Sequence, residues 1–174
     1  YKKIPNSVDY FFAIPEEKPK FIANLDQDGY GLLQISTKRL QGRKLFSWGK
    51  RQGSDHWQEF LTDKAGRYVE IQAGLGKTQY GCIPMAPHTS WEWMEQYGAV
   101  QAAPGHLDKT HKERAEELTS YVLKAGIPAN LEEKLKATAS MAKKEAKVVI
   151  TGSGYGAMKD HSRLEGHLKY ELTD

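Results

Sequence analysis

A carboxylate and a carboxamide lie two residues apart in the segment RYVEIQAG, residues 67–74. The alternation of polar and apolar residues predicts a β-strand, in which residues two apart project to the same face. Tyr68, Glu70 and Gln72 are therefore expected on one face, with apolar side chains on the other. A carboxylate held in a cleft can act as a general base, and a carboxamide can bind hydroxyl groups.

Two tryptophans, Trp48 and Trp57, precede this strand. Carbohydrate sites combine such residues, because the apolar face of a sugar packs on an aromatic ring while Glu and Gln bind its hydroxyls. On the local pattern alone a simpler interpretation is favoured, namely an amphipathic strand with tryptophans in the core and Glu70 in water, since most exposed strand carboxylates do no chemistry. Both interpretations stay open at this point.

A glycine-rich segment, TGSGYGAM at residues 151–158, contains Gly152, Gly154 and Ala157 in the order G-x-G-x-x-A. The dinucleotide-binding fingerprint needs a βαβ unit and an acidic residue about 20 residues further on. Only seventeen residues follow Ala157, which is too few for a helix and a second strand. We therefore predict a tight turn against which helices pack, and no nucleotide site.

Metal and nucleophile chemistry receive little support. His106 and His111 are five residues apart, whereas a helical zinc pair needs a spacing of four. The single cysteine, Cys82, rules out an internal disulfide and a cysteine-based metal site, and its apolar neighbours predict a buried, inert thiol. The G-x-S-x-G motif is absent. The sequence predicts no cofactor and no metal.

The composition is that of a soluble globular protein of 174 residues with a net charge of +3. Such a balance gives no electrostatic argument for nucleic acid. No apolar run approaches the roughly 20 residues of a membrane helix, and no signal-peptide pattern is present. We expect a cytoplasmic protein that binds no membrane. Because the sequence begins at Tyr1, we also expect a segment of a longer protein.

Residues 1–104 are rich in glycine, aromatic residues and short alternating runs, with turn-forming residues between the runs. Several short strands at this spacing are typical of an antiparallel β-sandwich or barrel sheet. The predicted strands cover residues 10–14, 20–25, 31–37, 43–48, 67–72 and 90–98.

Residues 105–174 change to a helical period and predict a helical hairpin followed by the closing glycine-rich segment. The first helix, 109–125, ends at Gly126, a good C′ residue. Asn130 and Glu133 form a capping box for the second helix, 131–146. Because both helices are amphipathic, they must pack on the β half, which makes an α+β fold. The apolar stripes are Ala115, Leu118, Val122 and Ala125 in the first helix, and Leu131, Leu135, Thr138 and Ala142 in the second.

The segment from Phe21 to about Val100, with GRKLFSWG, then HWQEFLTDKAG, then RYVEIQAGLGKTQ, resembles a bacterial family of uncharacterised domains. In that family GKKLWTWG, W…LTD…G and YVELQAG…NQ recur, and some longer members are fused to tetratricopeptide repeats. The matching residues are Gly42, Lys44, Leu45, Trp48, Gly49, Trp57, Leu61, Thr62, Asp63, Gly66, Tyr68, Glu70, Gln72, Gly74 and Gln79.

That family looks related to the galactose-mutarotase-like β-supersandwich, and this resemblance implies a function. Glu70 and Gln72 fall where mutarotases carry E-T-Q or E-P-Q, whose glutamate is the general base on the anomeric hydroxyl. The resemblance thus implies Glu70 as the base, and Gln72 as a sugar ligand or a support for that base. The other implied sugar-binding residues are Trp48, Tyr68, Trp57 and Gln79.

The chain also departs from the mutarotase pattern. Mutarotases take their acid from histidines before the glutamate, and residues 1–66 contain only His56. A complete supersandwich needs roughly 250 residues, so we expect the C-terminal part of one. Its partners would be a carbohydrate and either the missing N-terminal half or tetratricopeptide-like repeats. The alternative function is a non-catalytic interaction module whose helical hairpin docks partners, and whether the sugar site catalyses or only binds stays open.

Overall fold

The protein is described by a computed structural model. It divides into two compact units, Tyr1–Ala137 and Thr138–Asp174. The predicted glycine motif lies partly outside the described residues, at Gly152 and Ala157. The described residues are 4–144, 149–150, 153–156 and 158, with the backbone alone for 142 and 143.

Six strands form two three-stranded antiparallel sheets, as the antiparallel β prediction requires. Sheet A has the order β1-β4-β5 and sheet B the order β2-β3-β6. Three α-helices and two short 3-10 helices complete the elements described, and none of these described helices is long and apolar enough to cross a membrane. The strands are β1 (Val8–Phe11), β2 (Lys20–Leu25), β3 (Tyr30–Ser36), β4 (Gly42–Ser47), β5 (Val69–Gly74) and β6 (Glu95–Gln101); the helices are α1 (Gln52–Thr62), α2 (His111–Lys124) and α3 (Ile127–Thr138), and the 3-10 helices are His106–Asp108 and Ala139–Lys143.

Only strands were predicted in residues 1–104, and the helix α1 lies in this range. The prediction for these residues was therefore incomplete. The apolar residues Trp57, Phe60 and Leu61 of α1 have helical spacing, yet all three are exposed. The residue that α1 buries is Gln58, whose Oε1 accepts a hydrogen bond from the backbone N–H of Tyr68 at 3.2 Å. The helix therefore buries a carboxamide and leaves its apolar residues exposed, the reverse of the usual orientation of an amphipathic helix.

The main hydrophobic core lies between one face of sheet B and the helical hairpin. Leu33, Ile35 and Val100 of the sheet pack against Leu118 and Val122 of α2. Leu131 of α3 completes this cluster. Burying each such side chain stabilises the fold by about 1.5–3 kcal/mol. Side chains of α2 and α3 therefore pack against one face of sheet B.

The N-terminus of α2 carries a capping box. The side chain of Thr110 accepts from the N–H of Glu113 at 3.3 Å, and the Glu113 carboxylate accepts from the Thr110 N–H at 2.7 Å. These bonds satisfy backbone N–H groups that have no partner within the helix. The helix therefore begins two residues after the predicted start at residue 109.

The turn between the two helices was predicted in part. Gly126 follows α2 with φ of 67°, the left-handed conformation expected of a C′ glycine. The predicted N-cap at Asn130 is wrong, because its N–H donates to the Gly126 carbonyl at 3.0 Å inside α3. The helix begins at Ile127 instead, and Pro128 is accommodated in the first turn, where its missing N–H costs nothing. The helix α3 ends at Thr138, earlier than the predicted end at residue 146.

Arg43 of β4 links the two sheets. Its guanidinium is 1% exposed and donates to the carbonyl of Lys20 at 2.7 Å and to the hydroxyl of Ser36 at 2.6 Å, both in sheet B. It also donates to the carbonyls of Leu40 and Gly42, each at 2.8 Å. Burial lowers the pKa of this guanidinium to about 10, against the opposing effect of Glu95, so it stays charged at neutral pH.

Candidate functional site

One face of sheet A carries most of the predicted site. Residues directly opposite in an antiparallel pair share a face. Lys44 of β4 stands opposite Gln72 of β5, and Phe46 stands opposite Glu70. On the other side of β4, the same two residues stand opposite Phe11 and Asp9 of β1. We call this the polar face, formed by Asp9, Phe11, Lys44, Phe46, Glu70 and Gln72.

The polar side chains of this face form a continuous chain of contacts that includes Gln79. Nζ of Lys44 lies 2.7 Å from Oδ1 of Asp9 and donates to Oε1 of Gln79 at 2.9 Å. Nε2 of Gln79 donates to Oε1 of Gln72 at 3.3 Å, and Nε2 of Gln72 reaches Oε2 of Glu70 at 3.5 Å. The contact between Gln72 and Glu70 is long for a hydrogen bond. Within the described part of the chain, it is the only hydrogen bond of the Glu70 carboxylate. That carboxylate therefore has accepting capacity for further hydroxyl groups.

Lys44 is the positive centre of the polar face. Its side chain is 11% exposed, and its Nζ lies 5.9 Å from the ring centre of Phe11 and 5.7 Å from that of Phe46. Both distances allow a cation–π attraction. The charge of Lys44 is thus compensated by one carboxylate and two rings. These contacts fix the position of its ammonium group, which can then bind polar groups of a ligand on this face.

An aromatic cluster lies at the Glu70 end of the face. Trp48 contacts Phe46 edge-on, with ring centres 5.0 Å apart, and stacks with Trp57 of α1 at 6.4 Å and 23°. Tyr68 completes this aromatic cluster at 6.3 Å from Trp48. Trp57 is 55% exposed, so its ring is available to an incoming molecule. At the opposite end of the face, Phe11 contacts Tyr80 edge-on at 5.8 Å.

The loop after β5 is held over sheet A by a close backbone approach. A Cβ atom on Gly42 would lie 2.0 Å from the carbonyl oxygen of Gly76, closer than any side chain permits. Gly42 therefore lets the loop cross the beginning of β4, and this position brings Gln79 onto Lys44. The glycine of the predicted motif has a steric function that its sequence position alone does not reveal.

The structure thus brings the predicted residues together. Glu70 and Gln72 lie on the polar face, Gln79 bridges from the loop, and the three aromatic residues form the adjoining cluster. The sequence reasoning missed Asp9, Phe11 and Phe46, and it noted Lys44 only as a motif residue. Alternation along β1 and β4 was a signal for a shared face, but the pairing of these strands is long-range and leaves no local mark.

Two of the described histidines, His106 and His111, and the cysteine lie outside the polar face. His106 is buried with Nε2 2.9 Å from the carbonyl oxygen of Asp26, and His111 stacks on Phe12 at 5.8 Å. The described residues include no group of three or more His, Cys, Asp or Glu side chains that could hold a metal. Cys82 is exposed, so the prediction of a buried thiol is wrong. Its apolar neighbours belong to an extended loop and not to a core element, and therefore give it no cover.

Residues 10–92 match a family described as a domain of unknown function (DUF5107). The matched range contains the whole polar face except Asp9, and it also contains Gln79 and the aromatic cluster. The expected resemblance to a family of uncharacterised domains is confirmed for this segment. No solved structure matches the chain.

Proposed function

We propose that the polar face binds a carbohydrate, in a domain of mutarotase-like architecture, and that Glu70 acts as a general base on a sugar hydroxyl. The observation that carries this proposal is the contact chain Glu70–Gln72–Gln79–Lys44 beside the stacked Trp48 and Trp57. Donors, acceptors and an open aromatic ring are the three kinds of group that a pyranose needs.

Binding follows from how these groups are distributed over the face. The exposed ring of Trp57 offers a surface for the apolar face of a sugar. The carboxylate of Glu70 accepts hydrogen bonds from hydroxyls, and the carboxamides of Gln72 and Gln79 both donate and accept. Because the contact chain already fixes these side chains, little rotamer entropy is lost when the ligand binds.

The proposed chemistry uses the free accepting capacity of Glu70. Its carboxylate takes the proton of the anomeric hydroxyl, a carbonyl forms at the anomeric carbon, and the bond to the ring oxygen breaks. The ring oxygen then needs a proton. The described polar face has no histidine for this step, and Lys44 is its charged donor. Closure of the ring on the other face of the carbonyl completes the interconversion of anomers.

Glu70→Gln tests the catalytic part, because it keeps the shape of the side chain but removes the base. Mutarotation of several aldoses is followed by polarimetry or NMR, and binding of the same sugars by calorimetry. We expect the rate to fall by about 10²–10⁴-fold with a much smaller change in affinity. Glu133→Gln, an exposed glutamate on α3, is the matched control.

Two results would separate catalysis from binding. If wild type and Glu70→Gln both give the uncatalysed rate yet bind the sugar, the face is a binding site and Glu70 is no base. If no aldose binds to the wild type, the carbohydrate proposal fails as a whole.

The alternative function is a docking module built on the helical hairpin. The apolar residues Leu118, Val122 and Leu131 are buried against sheet B, so a partner would have to contact exposed apolar residues of α2 such as Tyr121 and Leu123.

A further inference from the structure

A cleft of about 570 Å³ lies beside sheet A. One wall is the segment between β3 and β4, with Lys38, Arg39 and Gln41. The other wall is the loop after β5, with Gly76 and Lys77, and Trp91 also lines the cleft. The charged residues of this cleft are neither among the matching residues of the motif nor on the polar face. We call it the basic cleft.

The charge of the basic cleft is of one sign. Lys38, Arg39 and Lys77 line it, and no carboxylate does. Among the described residues, none of these three side chains forms a salt bridge. Three cations that form no salt bridge, around one concave surface, focus a positive potential on it and attract an anionic group; the Glu132 carboxylate, which binds the Lys38 N–H, opposes this in part.

The backbone that carries these cations is fixed. The N–H of Lys38 donates to the carboxylate of Glu132 at 2.8 Å, which ties this wall to α3. Leu40 is buried, and its carbonyl accepts from the Arg43 guanidinium at 2.8 Å. On the other wall, the close approach of Gly76 to Gly42 holds the loop. The basic cleft is therefore formed before any ligand binds, which favours affinity.

The basic cleft is continuous with the polar face. A smaller cavity of about 250 Å³ shares Gln41 and Lys77 with the cleft and Phe11 with the polar face, and Lys20 and Glu16 also line it. Along the chain, Lys77 is two residues before Gln79, so their Cα atoms are at most about 7 Å apart. A ligand on the polar face can thus present a substituent to Lys77 without a large change in position.

We infer that the carbohydrate bound by the polar face is acidic, with a carboxylate or sulfate group held by Lys38, Arg39 and Lys77. This inference rests on the proposed carbohydrate function and adds the class of the sugar. A sugar ligand is favoured over nucleic acid because the cations form one compact cluster beside carboxamides and aromatic rings. The protein as a whole, with a net charge of +3, has no excess of positive charge that would favour nucleic acid.

Calorimetry with three ligands of similar size tests the inference: trigalacturonate, galactotriose sulfated at one 6-hydroxyl, and neutral galactotriose. The two acidic ligands distinguish a carboxylate from a sulfate as the group recognised. We expect at least one of them to bind ten-fold or more tightly than galactotriose at low salt, and the preference to shrink at 0.5 M NaCl because salt screens exposed charges.

The double variant Lys38→Gln/Lys77→Gln is expected to lose this preference while its affinity for galactotriose changes by less than two-fold. Lys112→Gln/Lys124→Gln, with two exposed lysines of α2, removes the same charge away from the cleft and is the matched control. Thermal unfolding of both variants checks that they fold.

The possible failures are distinguishable. Equal affinity for acidic and neutral ligands, unchanged in Lys38→Gln/Lys77→Gln, would overturn the acidic inference and leave the carbohydrate function standing. An equal loss of affinity for acidic ligands in the control Lys112→Gln/Lys124→Gln would also overturn it, because the loss would then come from the lower net charge of the protein and not from the cleft. If none of the sugars binds, the inference fails together with the proposed function.

Discussion

Lys44 of β4 donates a hydrogen bond of 2.9 Å to the side-chain oxygen of Gln79, which lies in the loop after β5. This contact joins the floor of the polar face to the loop that also forms a wall of the basic cleft. Lys44 is held in turn by Asp9 of β1, so an edge strand, a central strand and a loop meet at one ammonium group.

The ion pair between Lys44 and Asp9 is therefore expected to stabilise the fold. Lys44→Met leaves the half-buried carboxylate of Asp9 without its partner and is expected to lower the free energy of unfolding by about 1–3 kcal/mol. Urea denaturation of Lys44→Met, Asp9→Asn and the double variant gives the coupling between the two residues. We expect a coupling of about 0.5–2 kcal/mol, and additive single effects would show that the pair does not stabilise the domain.

Trp57 is expected to act in ligand binding and not in stability. Because its side chain is 55% exposed, Trp57→Ala should change the free energy of unfolding by less than about 1 kcal/mol. The lost ring contact should weaken sugar binding about 2–10-fold, as measured by calorimetry. Tyr121→Ala, an exposed aromatic residue of α2, is the control, and an equal loss of affinity there would contradict a stacking function for Trp57.

Arg43 is expected to be the most sensitive arginine of the domain. Arg43→Met removes the buried donors to the carbonyls of Lys20 and Leu40 and to the Ser36 hydroxyl, which should cost about 3–5 kcal/mol. Arg39→Met is the control, because Arg39 is exposed and should change stability by less than about 0.5 kcal/mol. Chemical denaturation of the two variants measures the difference. Similar unfolding midpoints would mean that the link between the sheets contributes little.

The capping box of α2 predicts a dependence of stability on pH. Hydrogen bonds from the side chain and then the backbone of Thr110 hold the pKa of Glu113 below its usual value. A carboxyl group with a lowered pKa stabilises the folded state at neutral pH, and this contribution is lost as the pH falls through the folded-state pKa. Glu113→Gln should therefore lower the melting temperature at pH 7 and have little effect at pH 2.5.

Thr110→Ala provides the background control for that measurement. Without the threonine hydroxyl, the effect of Glu113→Gln at pH 7 should become smaller, because the first cause of the lowered pKa has been removed. An effect of Glu113→Gln that is equal at the two pH values would contradict the assignment.

The sequence predicted the strands well because their signals are local. Predicted and observed bounds agree closely for β2 and β3, where alternation and turn residues coincide. The first strand lies two residues earlier than predicted and the last one five residues later, at Glu95. The helix α1 was missed although Trp57, Phe60 and Leu61 have helical spacing, and the residue that it buries is Gln58. A carboxamide that binds a backbone group in another segment has no periodic signature in the sequence.

The amino-acid sequence by itself determined that Glu70 and Gln72 face the same way, because a strand repeats every two residues whatever surrounds it. Only the tertiary structure decided which side chains lie beside them on that face. The pairing of Lys44 with Gln72, and of Asp9 with Phe46, depends on a register that joins segments far apart in the chain. A slip of one residue would turn Lys44 to the other side of the sheet. The packing of the whole domain therefore fixes the groups that surround Glu70, and local preference alone does not.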